Sequence, residues 1–332
     1  MIILVITIII IALIFDFLNG ANDRANAIAT TTATKAMTPT QALIVASVFN
    51  GLGALFFTKV AETIGKGIIL PEHTTLYIFL AGVLGASFWT FICTKIGVPI
   101  SVTHALVGGI MGSGIAAGGL GIINWEILTN KVFLAIILGP TVGFLAGAFF
   151  LTLISWLLYG FFKKTPTSKT ENFFRKGQLF TTPFMAFTHG MNDTQNAMGI
   201  ITAALLAGGF IDVFAVPLWV KLACGLAMGL GTFFLGWRVM KTLGWKLTKV
   251  EPRHGFASEI AAGTVIGVKS LLGMPVSTTH VVCSAVMGGT ILENWRRIKS
   301  AIARNMVLSW IITLPCAAVI GGISYKLINF VI

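Results

Sequence analysis

Long apolar stretches separated by short polar interruptions run from one end of this chain to the other. Ten of them read as helical segments of a membrane core, near residues 2–34, 40–58, 74–95, 98–120, 132–162, 179–210, 213–236, 257–271, 274–292 and 302–328. A helix of about 18 or more apolar residues rises far enough to cross roughly 30 Å of hydrocarbon. The pattern predicts an all-α polytopic membrane protein with about ten crossings and no soluble appendage. Ile2–Leu18 has neither a basic leading region nor a small-residue cleavage pattern, so it reads as a retained helix rather than a signal peptide.

Composition agrees with that reading. Of 332 residues, 56% are hydrophobic and 10% charged, against about 25% charged in an average soluble domain. A water-soluble fold is excluded. The net charge of +12 would suit nucleic acid in a soluble protein, but in a membrane protein the distribution of the lysines and arginines decides its meaning. Alternating crossings put sixteen of the 23 on one side, from Lys35 and Lys95 through Lys163, Lys164 and Arg175 to Arg296, Arg297 and Arg304. That side is expected to be cytoplasmic, with both termini outside, in a plasma or inner cell membrane. The charge is then met by anionic lipid and calls for no nucleic acid. A basic amphipathic stretch from Arg238 to Arg253 is expected on the inner surface. Cys93, Cys224, Cys283 and Cys316 lie scattered in apolar segments without metal-ligand spacing and read as packing residues.

The chain repeats itself. Asn22-Asp23-Arg24-Ala25-Asn26-Ala27 is echoed by Asn192-Asp193-Thr194-Gln195-Asn196-Ala197, each with a glycine two residues ahead. Gly97-Val98-Pro99-Ile100-Ser101-Val102-Thr103-His104 is echoed by Gly273-Met274-Pro275-Val276-Ser277-Thr278-Thr279-His280. Between these, Val60, Thr63, Ile64 and Gly65 correspond in order to Val239, Thr242, Leu243 and Gly244. The expected organisation is a first repeat over 1–162, a cytoplasmic basic loop over 163–178 and a second repeat over 179–332. Five crossings per half would turn the second copy upside down, an inverted-topology repeat with its binding sites where the halves meet.

The duplicated motifs carry the candidate chemistry. Glycine and polar residues interrupt apolar helices at both Asn-Asp motifs, which predicts broken helices lining a protein cavity. A buried carboxylate is expensive in a bilayer, and a cation offsets that expense. Asp23, Asn26, Asp193 and Asn196 offer the hard oxygen ligands that suit Na⁺, and the carboxylates can instead carry H⁺; a pair that merely ties helices together is the structural alternative. Ser101, Thr103, Ser277, Thr278 and Thr279 follow prolines expected in the first turn of half-helices or re-entrant segments, whose free N–H groups favour an oxyanion. Simple capping is the alternative there. Asn22, Asn192, His104 and His280 complete the candidate substrate set, although a neutral histidine often satisfies only a backbone partner. Asp16 and His189 have no partner in the other half; Asp16 pairs with Arg24 or a water-lined surface on this reading. Glu62 and Glu259 stand near segment ends, where a solvated role is as good a reading as a functional one.

With these residues in view, the chain resembles the inorganic phosphate transporter (PiT) family, with both Gly-x-Asn-Asp-x-x-Asn motifs and both Pro-x-Ser-x-Thr-His segments present. The Lys59–Ile68 run and Gly255-Phe256-Ala257-Ser258-Glu259 are similar to that family too, and the likeness covers nearly the whole chain. The resemblance implies secondary active symport of inorganic phosphate with Na⁺ or H⁺, with no cofactor and no enzymatic step. Arg24 and Thr194-Gln195 depart from the small apolar residues usual after the Asn-Asp pair. Sulfate and metal-phosphate remain rival substrates, though sulfate lacks the proton that hydrogen phosphate donates to an acceptor. A passive channel is a further alternative, and an intramembrane phosphatase using His104, His280 and the aspartates a distant one. Phosphate, the coupled cation and membrane lipid are the expected partners, and assembly as a homodimer is left open.

Overall fold

The computed structural model describes residues 1–161, 166–234, 239 and 250–331. Among these residues the regular structure is helical, with one isolated antiparallel bridge between Ile69 and Ile123. The helices are α1 (Ile2–Ala33), α2 (Pro39–Gly53), α3 (Lys59–Gly67), α4 (Leu76–Ile96), α5 (Val102–Gly118), α6 (Leu134–Phe161), α7 (Thr167–Ala207), α8 (Leu218–Phe234), α9 (Pro252–Leu271), α10 (Thr278–Asn294) and α11 (Ser300–Val331). A π-helical turn, Leu128–Phe133, leads into α6. Every predicted apolar segment coincides with one of these, and the short α3 is added between two of them.

Local signals explain several boundaries. Thr38 caps α2 reciprocally with Gln41, and Pro39 sits at the first helical position, where its missing N–H is harmless. Gly97 and Gly273, with φ of 89° and 71°, end α4 and α9 in the left-handed region that glycine enters without steric cost. Four helical stretches are long and apolar enough to cross a membrane: Ile2–Ala33, Leu76–Ile96, Trp125–Gly160 and Ser300–Val331. By contrast α2, α5, α8 and α10, of 15, 17, 17 and 17 residues, rise only about 22–26 Å. α7 is the longest at 41 residues, but its polar motif and polar first turns keep it out of the apolar set.

The helices form a bundle that buries a group of polar residues within an apolar core and turns large apolar side chains outward, unlike a soluble domain. Large apolar side chains such as Ile6, Ile10, Ile137, Phe149, Ile311 and Leu327 are exposed, while Asp16, Asn22, Arg24, His189, Asn192 and Asp193 are buried. Contacts fall into corresponding pairs. α1 packs on α4, α7 and α8, and α7 packs on α9, α1 and α2; α5 lies on α11 as α6 lies on α10. α4 with α5, and α9 with α10, form hairpins whose connecting residues Pro99–Ser101 and Pro275–Ser277 are buried. Lys95, placed by the sequence in a surface loop, therefore stands beside a hairpin tip.

Three expectations change. The Asn-Asp motifs do not break their helices: α1 and α7 run without interruption through residues 19–26 and 189–196. The glycines ahead of the motifs serve close packing instead. A Cβ on Gly20 would stand 2.3 Å from the Met228 carbonyl oxygen of α8, and one on Gly190 would stand 2.1 Å from the Asn50 carbonyl oxygen of α2. Polar side chains that find partners on neighbouring helices leave the backbone ladder intact. Second, Pro99 and Pro275 precede the capping serines and lie outside α5 and α10. Third, the basic stretch expected as a loop over 163–178 is helical from Thr167, where it forms the opening turns of α7, and Arg175 Nε donates to the Thr34 carbonyl at 3.1 Å. Within the expected basic surface stretch from Arg238, most positions lie outside the described residues, as do Thr242, Leu243 and Gly244. Val239 is buried, and Arg253 is paired with Glu251 and Glu293 at 3.2 and 3.1 Å.

Candidate functional site

The two hairpin tips and the two long motif helices converge on one buried cluster. On α1, Asn22 Oδ1 accepts from Ile100 N at 3.4 Å and its Nδ2 donates to Thr94 Oγ1 at 2.9 Å, so it seats the tip of the α4–α5 hairpin. On α7, Asn192 does the same for the other hairpin, donating to the Val276 carbonyl at 2.9 Å and accepting from Ser270 Oγ at 3.0 Å. The first asparagine of each motif thus holds its own half's hairpin.

The second asparagine reaches across. Asn26 Nδ2 donates to Thr279 Oγ1 at 3.0 Å and to Thr278 Oγ1 at 3.3 Å. Asn196 Nδ2 donates to Thr103 Oγ1 at 3.0 Å. Between them lie the aspartates. Thr279 Oγ1 is 2.8 Å from Asp23 Oδ1, and Thr278 Oγ1 is 2.9 Å from Asp193 Oδ2, which also has Asn192 Nδ2 2.7 Å from its Oδ1. Thr279 Oγ1 is likewise 2.9 Å from the Ile100 carbonyl, and its single proton can serve only one of these two acceptors. Ligand atoms of Asp23, Asp193 and His189 all lie within 4.8 Å of one another.

This site is rich in acceptors and short of donors. The amide oxygens of Asn26 and Asn196 are buried without a hydrogen-bond partner, although native structures rarely strand such atoms. Two carboxylates this close repel, and a shared proton or a bound cation relieves the repulsion. Carboxylate and amide oxygens are the ligands a hard monovalent cation takes, so the residues present fit that cargo. Ser101 and Ser277 spend their hydroxyl oxygens as helix caps, accepting from His104 N at 3.2 Å and His280 N at 3.3 Å.

His104 and His280 pack on each other at the starts of α5 and α10. Their rings meet edge to face at 4.7 Å, His280 also lies against Trp310, and each Nε2 is buried without a partner. His189, by contrast, belongs to the cluster: its Nδ1 is 3.0 Å from Asn50 Oδ1 and its Nε2 stands 3.3 Å from Asp193 Oδ2, outside hydrogen-bond alignment. The sequence marked it only as an unmatched histidine, its counterpart in the first half being Asn19, and gave it no role. Arg24 turns away from the cluster, and Nη2 donates to the Phe233 carbonyl at the end of α8 at 3.2 Å. Gln195, a departure from the family pattern, accepts from Val60 N and Ala61 N at 2.8 and 3.0 Å and so caps α3 from another helix. Asp16 pairs with neither Arg24 nor water-lined surface; it is fully buried.

Glu259 is the largest addition. It is buried rather than solvated, and its carboxylate accepts from Thr30 at 2.6 Å, Thr31 at 2.8 Å, Gln178 at 3.0 Å and Thr182 at 3.2 Å, with Thr181 as a fifth donor. Three helices, α1, α7 and α9, are tied at this one group. Glu62, its fellow uncertainty, is exposed on α3. Because hydrogen bonds to an ionised acceptor are the stronger ones, Glu259→Gln is expected to lower stability by about 2–3 kcal/mol, which thermal melting in detergent would read.

A buried, cross-linked cluster of carboxylates, amides and hydroxyls inside a helical bundle with an apolar exterior is what a membrane transporter presents. The sequence profile of the phosphate transporter family matches residues 19–321, and the chain belongs to that family. It is 39% identical over its whole length to the "probable low-affinity inorganic phosphate transporter" of Bacillus subtilis (strain 168), covering 99% of that protein. It is 38% identical over 97% of its length to a protein of the same description from Rhizobium meliloti (strain 1021), covering 96% of it. A solved structure described as "The sodium-dependent phosphate transporter" superposes with a TM-score of 0.91 at 28% identity, covering 99% of this chain and 100% of that one. All three are named as transporters, a non-enzymatic role.

Proposed function

We propose that this protein imports inorganic phosphate by sodium-coupled alternating access, with Asp23, Asn26, Asp193 and Asn196 as the cation ligands. The observation that carries the reading is the pair of stranded amide oxygens, on Asn26 and Asn196, beside two adjacent carboxylates. Bound cations satisfy all four groups at once, and with the carboxylates neutralised the positive starts of α5 and α10 are free to draw an anion. Phosphate docks there against Thr103, Thr278 and Thr279, with Ser101 and Ser277 setting the helix ends. The name of the structural neighbour, a sodium-dependent transporter, favours Na⁺ over H⁺.

The two halves, 1–162 and 179–332, form an inverted repeat on this reading, and the corresponding contacts of α1 and α7 and of the two hairpins support it. The basic side faces the cytoplasm and both termini face outward. Glu259 lies toward that basic side, bonded to Thr30 and Thr31 about a turn before Lys35, and is read as part of the inward route. His104 and His280 act as packing behind the phosphate rather than as contacts to it.

Uptake of ³²P-phosphate by proteoliposomes of the purified protein tests the reading, with an inward Na⁺ gradient compared with an inward H⁺ gradient and with none. Accumulation driven by Na⁺ alone is expected. Accumulation under the H⁺ gradient alone would reassign the aspartates as proton carriers, and equilibration without accumulation would make the protein a channel. Competition by excess sulfate in the same assay separates a phosphate-selective site from one that takes any tetrahedral oxyanion.

A further inference from the structure

α1 carries another carboxylate, which the paired-aspartate cluster does not use. Asp16 is 0% exposed, and neither of its oxygens has a hydrogen bond of ordinary length; the Asn19 amide is the one side chain that donates toward it. Asn19 follows one turn later on the same face, close enough to act on that carboxylate. It too is 0% exposed, and its Oδ1 has no donor, while its Nδ2 reaches the Asp193 carbonyl at 3.3 Å. Both Asp16 oxygens and Asn19 Oδ1 are therefore without a hydrogen bond of ordinary length. The position equivalent to Asp16 in the second half is Ala186, so this group stands outside the duplicated set.

Among the described residues no cation acts on Asp16, and Lys221 of α8, one turn from Cys224, is half-buried. Asp193 on α7 adds a like charge, and Cys224 on α8 is the other titratable neighbour. His189 on α7 is directed to Asn50 and Asp193. α2 contains no titratable residue, and those of α4, Tyr77, Cys93 and Lys95, sit toward its two ends. A buried carboxylate with no more than one weak donor is among the costliest groups to leave uncompensated, and Asn19 Oδ1 adds a second deficit of the same kind.

We infer that Asp16 and Asn19 bind a monovalent cation, separate from those held by Asp23 and Asp193 and carried in the same transport cycle. The ligand is a single positive charge accepted by carboxylate and amide oxygens, either Na⁺ or a proton. The inference rests on the transport reading above. Asn19 links the two positions through the Asp193 carbonyl, so filling one relieves repulsion at the other.

The test is the charge moved per phosphate, read from the reversal potential of uptake in proteoliposomes, with ²²Na⁺ and an internal pH dye counting each ion. In Asp16→Asn, isosteric and neutral, the ratio is expected to fall by a single charge. Loss from the Na⁺ count assigns sodium and loss from the H⁺ count assigns a proton; an unchanged ratio overturns the inference. If Asp16→Asn transports too slowly to give a ratio, Asp16→Glu decides: recovery of the wild-type ratio supports a charge-bearing site, and a defect equal to that of the asparagine variant overturns it. Failure of the transport reading itself looks different, since Asp193→Asn would then keep its full Na⁺ coupling whatever Asp16 does.

Discussion

Asp193→Asn is expected to lower sodium-driven phosphate accumulation by about 100-fold or more, the upper end of what losing a single supporting group around a bound ion does, in a protein that still folds. The asparagine keeps an oxygen for Thr278, which lies 2.9 Å from Asp193 Oδ2, and its amide replaces one of two carboxylates that face each other with His189 within 4.8 Å. Removing that repulsion should hold the melting temperature at or above the wild-type value. The separation of stability from transport is the informative part. In the wild type, Na⁺ that binds only the folded state raises the melting temperature with concentration, and this shift should vanish in the variant. Wild-type uptake with an intact Na⁺-dependent shift would remove Asp193 from the cation site.

Gly190→Ala should act through packing instead. Its Cβ would stand 2.1 Å from the Asn50 carbonyl oxygen and 2.6 Å from the Asn50 Cα, and these are backbone atoms that cannot swing aside. Separating α2 from α7 would also pull Asn50 from His189 Nδ1 and from Thr232, contacts of 3.0 Å each. Overpacking a tight interior costs about 1–3 kcal/mol, sometimes more. Here about 3 kcal/mol or more is expected, a large share of the roughly 5–15 kcal/mol that holds a typical protein folded. The readouts are the yield of monodisperse protein and its melting temperature, with Gly121→Ala as the control. A Cβ at Gly121 would meet nothing within 4 Å, so that variant should melt close to the wild type.

Much of the architecture was legible in the chain. Hydrophobic runs located the helices because lipid-facing residues must be apolar whatever their neighbours, a constraint each segment meets alone. Repetition marked Asn22, Asp23, Asn26 and their counterparts before any contact was known. Phosphate transport came from the resemblance those motifs carry, and the family match agrees with it. The same local reasoning misjudged helix continuity, because glycine beside polar residues looks like a break until the partners across the bundle are seen. It also could not assign His189, which has no duplicate, to the cluster, or see the depth of Glu259.

The membrane class, the helical segments, the two related halves and the residue types offered to an ion and an anion can all be read along the chain. Which of these groups meet cannot, and that came from the packed bundle. Asn26 finds Thr278 and Thr279 at separations of 252 and 253 residues, and donors from two helices close on Glu259 of a third. No local pattern encodes such encounters, since each depends on the packing angle and depth at which separate helices settle. Whether a buried polar atom is satisfied or stranded depends on those encounters, and it is the stranded oxygens of Asn26, Asn196, Asn19 and Asp16 that point to cations.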